Sequence, residues 1–267
     1  MLTDDQIAST AARLDEAERT RKPIRMLSAE FPGMTIADAY AVQRAWIARK
    51  VGSGRVIKGH KIGLTSKAMQ NAVNIREPDY GALLDDMFFA DGAEIPTDRF
   101  ITTRVEAELA FHLLQPLAGP DCAIFDVLNA CDYMVPALEI LDTRVQRVDP
   151  EGKATRRIVD TIADNAANAA LVVGGRPFRP FDTDLRWVAA LVYRNGQLEE
   201  TGVAAGVLNH PAAGVAWLAN KLHLHGVQLE AGQLVLSGSF IRPIEARKGD
   251  TFHADYGPFG SVSCCFA

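Results

Sequence analysis

Cysteine is scarce in this sequence, with four in 267 residues. Cys122, Cys131, Cys264 and Cys265 have neither the spacing of a zinc site nor that of a disulfide framework, so they read as buried free thiols in a reducing cytoplasm. No apolar run reaches the ~18 residues of a membrane span. The opening stretch is acidic and polar and does not read as a secretory signal. Basic charge is not in excess either: 28 Lys and Arg stand against 33 Asp and Glu, a balance that disfavours a nucleic-acid surface. Gly-x-Ser-x-Gly, Gly-x-Gly-x-x-Gly and Walker patterns are all missing, which argues against a serine-elbow hydrolase and the common nucleotide-binding folds.

What is present is ordinary globular usage. With 48% hydrophobic and 23% charged residues, the chain can bury a sizeable core. No repeat, low-complexity segment or clean linker divides it, so a single domain is expected over 1–267. Thr3 can cap a helix over 3–21 that Lys22-Pro23 ends. Thr35 and Asp38 form a capping-box-like pair at the start of a second helix. These two helices make an N-terminal cap, residues 1–54. From 55 to 267 the pattern is that of a β-rich core. Strands are expected at 56–64, 104–114, around Glu139 and at 168–173. A hairpin turns on Asn195-Gly196, His210-Pro211 opens a helix, and strands follow at 233–241, 250–256 and 260–266. Residues 147–165 are polar and charged, with a turn at Asp149-Pro150-Glu151-Gly152, and are expected to form a long surface loop. The fold class is mixed α+β, mostly β.

The most informative stretch is Arg104-Val105-Glu106-Ala107-Glu108-Leu109-Ala110-Phe111. In a strand, alternation puts Val105, Ala107, Leu109 and Phe111 on one face and Glu106 and Glu108 on the other. Two readings stand. The glutamates face water on a sheet edge, or a divalent cation relieves their repulsion, and hard cations prefer such oxygen ligands. A third carboxylate, Glu139, lies in the apolar run Val135–Leu141. Lys61 occupies an apolar strand bounded by Gly59 and Gly63. Desolvation would lower its pKa and suit it to acid–base work, and Asp79 nearby would orient it and oppose that shift. Alternatively its stem packs and its amine reaches water. His60 alternates away from Lys61.

Together these residues resemble the metal motif of the fumarylacetoacetase C-terminal fold. Longer stretches are similar to one branch of it: Gly59-His60-Lys61-Ile62-Gly63-Leu64-Thr65-Ser66, Glu77-Pro78-Asp79-Tyr80-Gly81, Thr201-Gly202-Val203-Ala204-Ala205-Gly206, Asn209-His210-Pro211 and Arg247-Lys248-Gly249-Asp250-Thr251. That branch holds the 2-hydroxypentadienoate hydratases, the 4-oxalocrotonate decarboxylases and the 2-oxohept-ene-1,7-dioate hydratases of aromatic meta-cleavage pathways. The resemblance runs end to end, and Leu84-Asp85-Asp86-Met87-Phe88-Phe89 is most similar to the hydratases of the seven-carbon diacid. It implies a β-barrel or roll with peripheral helices, assembled as a homo-oligomer. It implies Mg²⁺ or Mn²⁺ on Glu106, Glu108 and Glu139, with acid–base chemistry from Lys61 and Asp79. The activity implied is that of a hydro-lyase on a 2-oxo or 2-hydroxydienoate diacid. Hydration of the five-carbon monoacid, decarboxylation of 4-oxalocrotonate and C–C hydrolysis of an acylpyruvate are the alternatives.

A diacid needs a partner for its far carboxylate. Arg156 and Arg157 in the expected loop, and Arg242 further on, are the candidates. Thr161 and Ser239 are candidates for substrate hydrogen bonds. Each of these is also a plausible surface or turn residue. Ser237-Gly238-Ser239 either offers hydroxyls and N–H groups to a substrate carboxylate or marks a β-bulge.

Overall fold

Thr3 and Thr35 each accept a hydrogen bond from the backbone N–H three residues on, and the Gln6 and Asp38 side chains accept one from the cap's own N–H. These capping boxes start α1 (Asp4–Thr20) and, after the short α2 (Leu27–Glu30), α3 (Ile36–Gly52). The structure, a computed structural model, describes residues 1–72, 75–150 and 154–267. α1 packs on α3, burying Ala11, Leu14 and Trp46. About one turn before Trp46, the Gln43 amide donates to the carbonyls of Tyr80 and Ile162 at 2.8 and 2.9 Å. The helices are thereby pinned to the strands that follow.

Those strands begin with β1 (Ile57–Gly63), α4 (Lys67–Ala72), β2 (Asp79–Leu84), β3 (Phe88–Ala90) and β4 (Ala93–Ile95). The middle of the chain supplies β5 (Arg104–Leu113), α5 (Ile124–Ala130), β6 (Cys131–Leu141), α6 (Ile158–Ala163) and β7 (Asn168–Val173). A hairpin of β8 (Ala189–Arg194) and β9 (Gln197–Val203) precedes α7 (Pro211–His223). β10 (Leu234–Leu236), β11 (Ile244–Glu245), β12 (Thr251–Asp255) and β13 (Ser261–Phe266) complete it.

Among the described residues the strands form two sheets. The larger runs β2-β1-β10-β5-β6-β7-β3, with β11 also pairing β5, and the smaller runs β4-β13-β12-β8-β9. β5 and β6 are the long antiparallel pair at the centre of the larger sheet. One face of β5 sends Val105, Ala107, Leu109 and Phe111 into the main core, where all four are fully buried. The other face carries Glu106, Glu108 and Ala110. The two sheets are stitched together at Tyr256, just after β12, whose hydroxyl lies 2.9 Å from the carbonyl oxygens of both Glu108 and Ala137 and shares its proton between them. Asn195 and Gly196 take φ of 54° and 78°, the left-handed pair that a tight hairpin requires.

Two expectations are corrected. The strand expected over 233–241 stops at Leu236. Gly238 there takes a φ of +111°, open to glycine, and turns its N–H out of the ladder toward the Glu108 carboxylate. The loop expected over 147–165 instead contains α6, and Val159, Asp160, Ile162, Ala163 and Asp164 are buried. Its aspartates are structural. Asp160 accepts from the N–H of Arg157 and from the N–H and hydroxyl of Ser28, and Asp164 pairs with Arg144. Only part of the expected turn at Asp149–Gly152 is visible, since Glu151 and Gly152 lie outside the described residues.

Candidate functional site

The β5–β6 register sets Glu106 directly opposite Glu139. Period two then keeps Glu108 on the same face, one pleat along. The result is a cluster in which one carboxylate oxygen from each of Glu106, Glu108 and Glu139 lies within 4.8 Å of the other two. Glu108 and Glu139 are fully buried. Burial, then the neighbouring charge of Glu139, pushes Glu106 up to about 8, and burial with Glu139 and Glu106 holds Glu108 well above the usual carboxylate range. Part of the cluster is satisfied by protein. Glu108 Oε2 accepts from the N–H of Gly238 at 2.8 Å, and Glu139 Oε1 accepts from the amide of Asn168 at 2.8 Å. Glu108 Oε1 and Glu139 Oε2 are buried with no hydrogen-bond partner. Converging carboxylates with unused lone pairs, in a site where their charge is otherwise costly, fit a hard divalent cation. This favours the metal reading of the strand over a solvent-facing edge.

Lys61 reaches the cluster from β1. Its Nζ stands 3.3 Å from Glu139 Oε1 and donates to the Ala166 carbonyl at 3.1 Å. The amine does not reach water, because the residue is 3% exposed. Burial acts to lower its pKa, as expected from sequence, but Glu139, Asp79, Glu106 and Glu108 together outweigh that and raise it above the ordinary lysine value. The expected downward shift is therefore corrected: with this many carboxylates nearby, Lys61 is held as an ammonium. Asp79, at the start of β2, is 2% exposed, and its Oδ1 has no hydrogen-bond partner. Burial pushes it up to about 6, against the pull of Lys61. Both groups surround Gly63. A Cβ at that position would stand 2.2 Å from Asp79 Oδ1 and 3.2 Å from Lys61 Nζ, so glycine is what lets the pair close up. His60 points away, as alternation requires, and burial lowers it to about 4.

A cavity of about 410 Å³ opens on this cluster, with Glu106 in its lining. Gly63–Ser66 form one wall, Ser239–Pro243 another, and Glu200, Thr201 and Gly206 close the side toward the smaller sheet. Ser239, the candidate for a substrate hydrogen bond, lines it, and its hydroxyl donates to the carbonyls of Ala107 and Ile241. In the Ser-Gly-Ser stretch, the Gly238 N–H is given to Glu108. Arg242 lines the cavity too, yet its side chain is 82% exposed and paired with Glu200 at 2.7 Å. Arg157 is exposed at the N-terminus of α6, and Thr161 is half-buried on that helix, away from the cavity lining. Arg156 is outside that lining too. Its Nη1 donates to the Thr143 hydroxyl at 2.8 Å, and its charge acts on Asp79. Sequence reasoning missed Asn168 and Tyr256, and it singled out Gly238 without foreseeing that its N–H serves Glu108. The signal for Asn168 was available: Asp164, Asn165 and Asn168 interrupt a stretch that otherwise reads as core.

No family model matches the chain. It is 64% identical over 256 residues to the 2-oxo-hept-4-ene-1,7-dioate hydratase of Escherichia coli, covering 96% of each chain. The 4-oxalocrotonate decarboxylase from Pseudomonas putida G7, solved with magnesium and adipate, superposes with a TM-score of 0.95 at 34% identity, covering 100% of this chain and 99% of that one. A Yersinia pestis protein assigned to the fumarylacetoacetate hydrolase family shares the fold at a TM-score of 0.55 and 15% identity, over 79% of this chain and 94% of its own. The two-sheet architecture is accordingly the fumarylacetoacetate hydrolase fold. The chain belongs to the family of 2-oxo acid hydratases and 4-oxalocrotonate decarboxylases built on that fold.

Proposed function

We propose that the protein is a divalent-metal-dependent hydro-lyase that adds water to 2-oxohept-ene-1,7-dioate, formed from 2-hydroxyhepta-2,4-diene-1,7-dioate, to give 4-hydroxy-2-oxoheptanedioate. The observation that carries this is the buried Glu106–Glu108–Glu139 cluster beside Lys61 and Asp79, in a chain 64% identical to a hydratase of that substrate. Mg²⁺ or Mn²⁺ held by the three glutamates would supply Lewis acidity toward the 2-oxo acid end.

The chain's own residues do the rest. The reaction removes the proton on the C2 oxygen, adds one at C5, then places the oxygen of water at C4 and its proton at C3. The net change is one water added. Asp79, raised to about 6, is matched to taking and returning protons near neutral pH. Lys61, held cationic among the carboxylates, stabilises negative charge developing at the C2 oxygen and shares in proton delivery. The walls formed by Gly63–Ser66 and Ser239–Pro243 confine the chain of the substrate. This reading places the enzyme in the cytoplasm, consistent with four free cysteines. It also makes the enzyme a homo-oligomer, in which the exposed Trp187 and Leu191 would be natural contacts with another copy.

Decarboxylation of 4-oxalocrotonate is the second reading, favoured by the superposition on that enzyme at a TM-score of 0.95. Incubating the protein with Mg²⁺ and each diacid, and following products by NMR together with CO₂ release, separates them. The hydroxylated seven-carbon product without CO₂ is expected. Faster CO₂ release from 4-oxalocrotonate would replace the first reading with the second, and no turnover of either would overturn both.

A further inference from the structure

Between α6 and β7, Asn165, Ala166 and Ala167 take φ of 52°, 52° and 58°. This is the left-handed region, where Cβ of an L-residue crowds the following carbonyl and residues other than glycine normally appear singly. Asparagine tolerates it, but alanine does not favour it. Three in succession is the longest such run among the described residues, and all three are buried. Strained backbone persists where its surroundings over-determine it. Here the Asn165 side chain bridges Ala82 of β2. Its Nδ2 donates to the Ala82 carbonyl at 2.9 Å, and its Oδ1 accepts from the Ala82 N–H at 2.8 Å. Gly81 permits that approach, because a Cβ there would stand 2.4 Å from the Asn165 carbonyl oxygen.

The carbonyls of this segment are assigned one by one. That of Asp164 accepts from the Ala167 N–H and Arg144 Nη2, and that of Asn165 from the Asn168 N–H. Those of Ala167 and Asn168 accept from the Asp142 N–H and Arg144 Nη2. The Ala166 carbonyl instead accepts from Lys61 Nζ at 3.1 Å. Just past the turn, the Asn168 amide donates to Glu139 Oε1 at 2.8 Å, the oxygen that stands 3.3 Å from the same Nζ. One short segment therefore grips both members of the Lys61–Glu139 pair. Reversing the hand of the turn would redirect the Ala166 carbonyl. Lys61 needs such a guide. Its stem is flexible, and Glu139, Asp79, Glu106 and Glu108 all attract its charge. A fixed, neutral acceptor selects one position for Nζ among those pulls.

We propose that the left-handed turn over 165–167 is a positioning element for the reaction and that Asn165 is its positioning residue. By locking onto Ala82, Asn165 aims the Ala166 carbonyl at Lys61 and so fixes where the ammonium stands. This rests on the hydratase reading, in which Lys61 stabilises charge at the C2 oxygen and delivers a proton. Asn165 acts through Lys61, since its own amide is spent on Ala82.

The test measures kcat and KM on 2-hydroxyhepta-2,4-dienedioate, and Mg²⁺ affinity by calorimetry, for Asn165→Ala and Asn165→Gly. Each is made alone and in the Lys61→Met background. Asn165→Gly removes the bridge but keeps the left-handed backbone accessible, so it answers if Asn165→Ala does not fold. Each should lower kcat by roughly 10- to 100-fold, as displacing a reacting group does. KM and Mg²⁺ affinity should stay within about threefold. In the Lys61→Met background the same substitution should cost no more than about twofold, because the group it positions is gone. A kcat within about twofold of the unaltered enzyme would overturn the proposal. So would an equal fold-loss with and without Lys61, which is what a merely structural role gives. If the unaltered enzyme turns over no diacid, the hydratase reading fails on its own. Crystal structures of the unaltered enzyme and Asn165→Gly still judge the turn. Lys61 Nζ should leave hydrogen-bond distance of the Ala166 carbonyl in the variant, and an unmoved Lys61 would overturn the assignment.

Discussion

The Nζ of Lys61 lies 3.3 Å from Glu139 Oε1, the same oxygen that accepts the Asn168 amide. Lys61 therefore leans on one carboxylate of the cluster while facing Asp79 across Gly63. In the proposed reaction a lysine so placed would serve the chemistry more than the assembly of the metal site. Lys61→Met is expected to lose turnover by roughly 10²- to 10⁴-fold, the usual contribution of a positioned acid–base group. Mg²⁺ affinity, measured by calorimetry, should change far less. Turnover equal to that of the unaltered enzyme would remove Lys61 from the mechanism.

The cluster itself makes a thermodynamic prediction. A cation that binds the folded chain and not the unfolded one stabilises it by about 2.7 kcal/mol at one hundred times its dissociation constant. Mg²⁺ titration should raise Tm progressively. Glu108→Ala should abolish that response and metal-dependent turnover together, while circular dichroism still reports a folded protein. A Tm that rises with Mg²⁺ equally in Glu108→Ala would place the ion elsewhere.

Gly63 tests the contact between Lys61 and Asp79 without removing either. Adding a methyl group there puts it 2.2 Å from Asp79 Oδ1, well inside contact distance. The carboxylate must move, and displacements on this scale cost up to about 10²-fold in rate. Gly63→Ala should show a fall in kcat of that order with little change in Mg²⁺ affinity. An unchanged kcat would mean that the position of Asp79 is not critical.

How much of this was legible in the sequence depends on whether the relevant interaction is local. The capping boxes at Thr3 and Thr35, the Asn195-Gly196 hairpin and the two faces of β5 follow from neighbours in the chain. That Glu139 lies opposite Glu106 does not, because register between distant strands is settled by packing across the whole sheet. The charge state of Lys61 was misjudged for the same reason: burial is local, but the four carboxylates that outweigh it come from three other strands. The segment over 147–165 was misread because polarity was taken for exposure. Asp160 and Asp164 are buried there, the first satisfied by Ser28 and Arg157 and the second by Arg144, which composition alone does not distinguish from a solvated loop.

That buried network has a predicted cost. Arg144 Nε donates to Asp164 Oδ1 at 2.5 Å, its Nη2 reaches the carbonyls of Asp164 and Asn168, and its guanidinium lies 5.1 Å from the Trp46 ring. Removing one member leaves a buried charge without its partner, which typically costs about 3–5 kcal/mol. Asp164→Ala should lower stability by that amount in urea unfolding. A loss below about 1 kcal/mol would show that water or another group replaces Asp164.

His60 predicts how the protein responds to acid. It is buried beside Lys61 with Nδ1 unpartnered, and burial lowers it from 6.5 to about 4. Between those values the unfolded chain takes up a proton that the native state refuses. Stability rises with pH wherever the unfolded state binds more protons, so this group reduces stability as pH falls from 6.5 toward 4, and has no effect above that window. At about 1.36 kcal/mol per pH unit, its full contribution is roughly 3 kcal/mol. His60→Gln cannot titrate. The stability difference between the unaltered protein and His60→Gln should be constant above pH 7 and shift in favour of the variant between pH 6.5 and 4. Parallel profiles across that range would mean that His60 takes up its proton in the folded state as readily as in the unfolded chain.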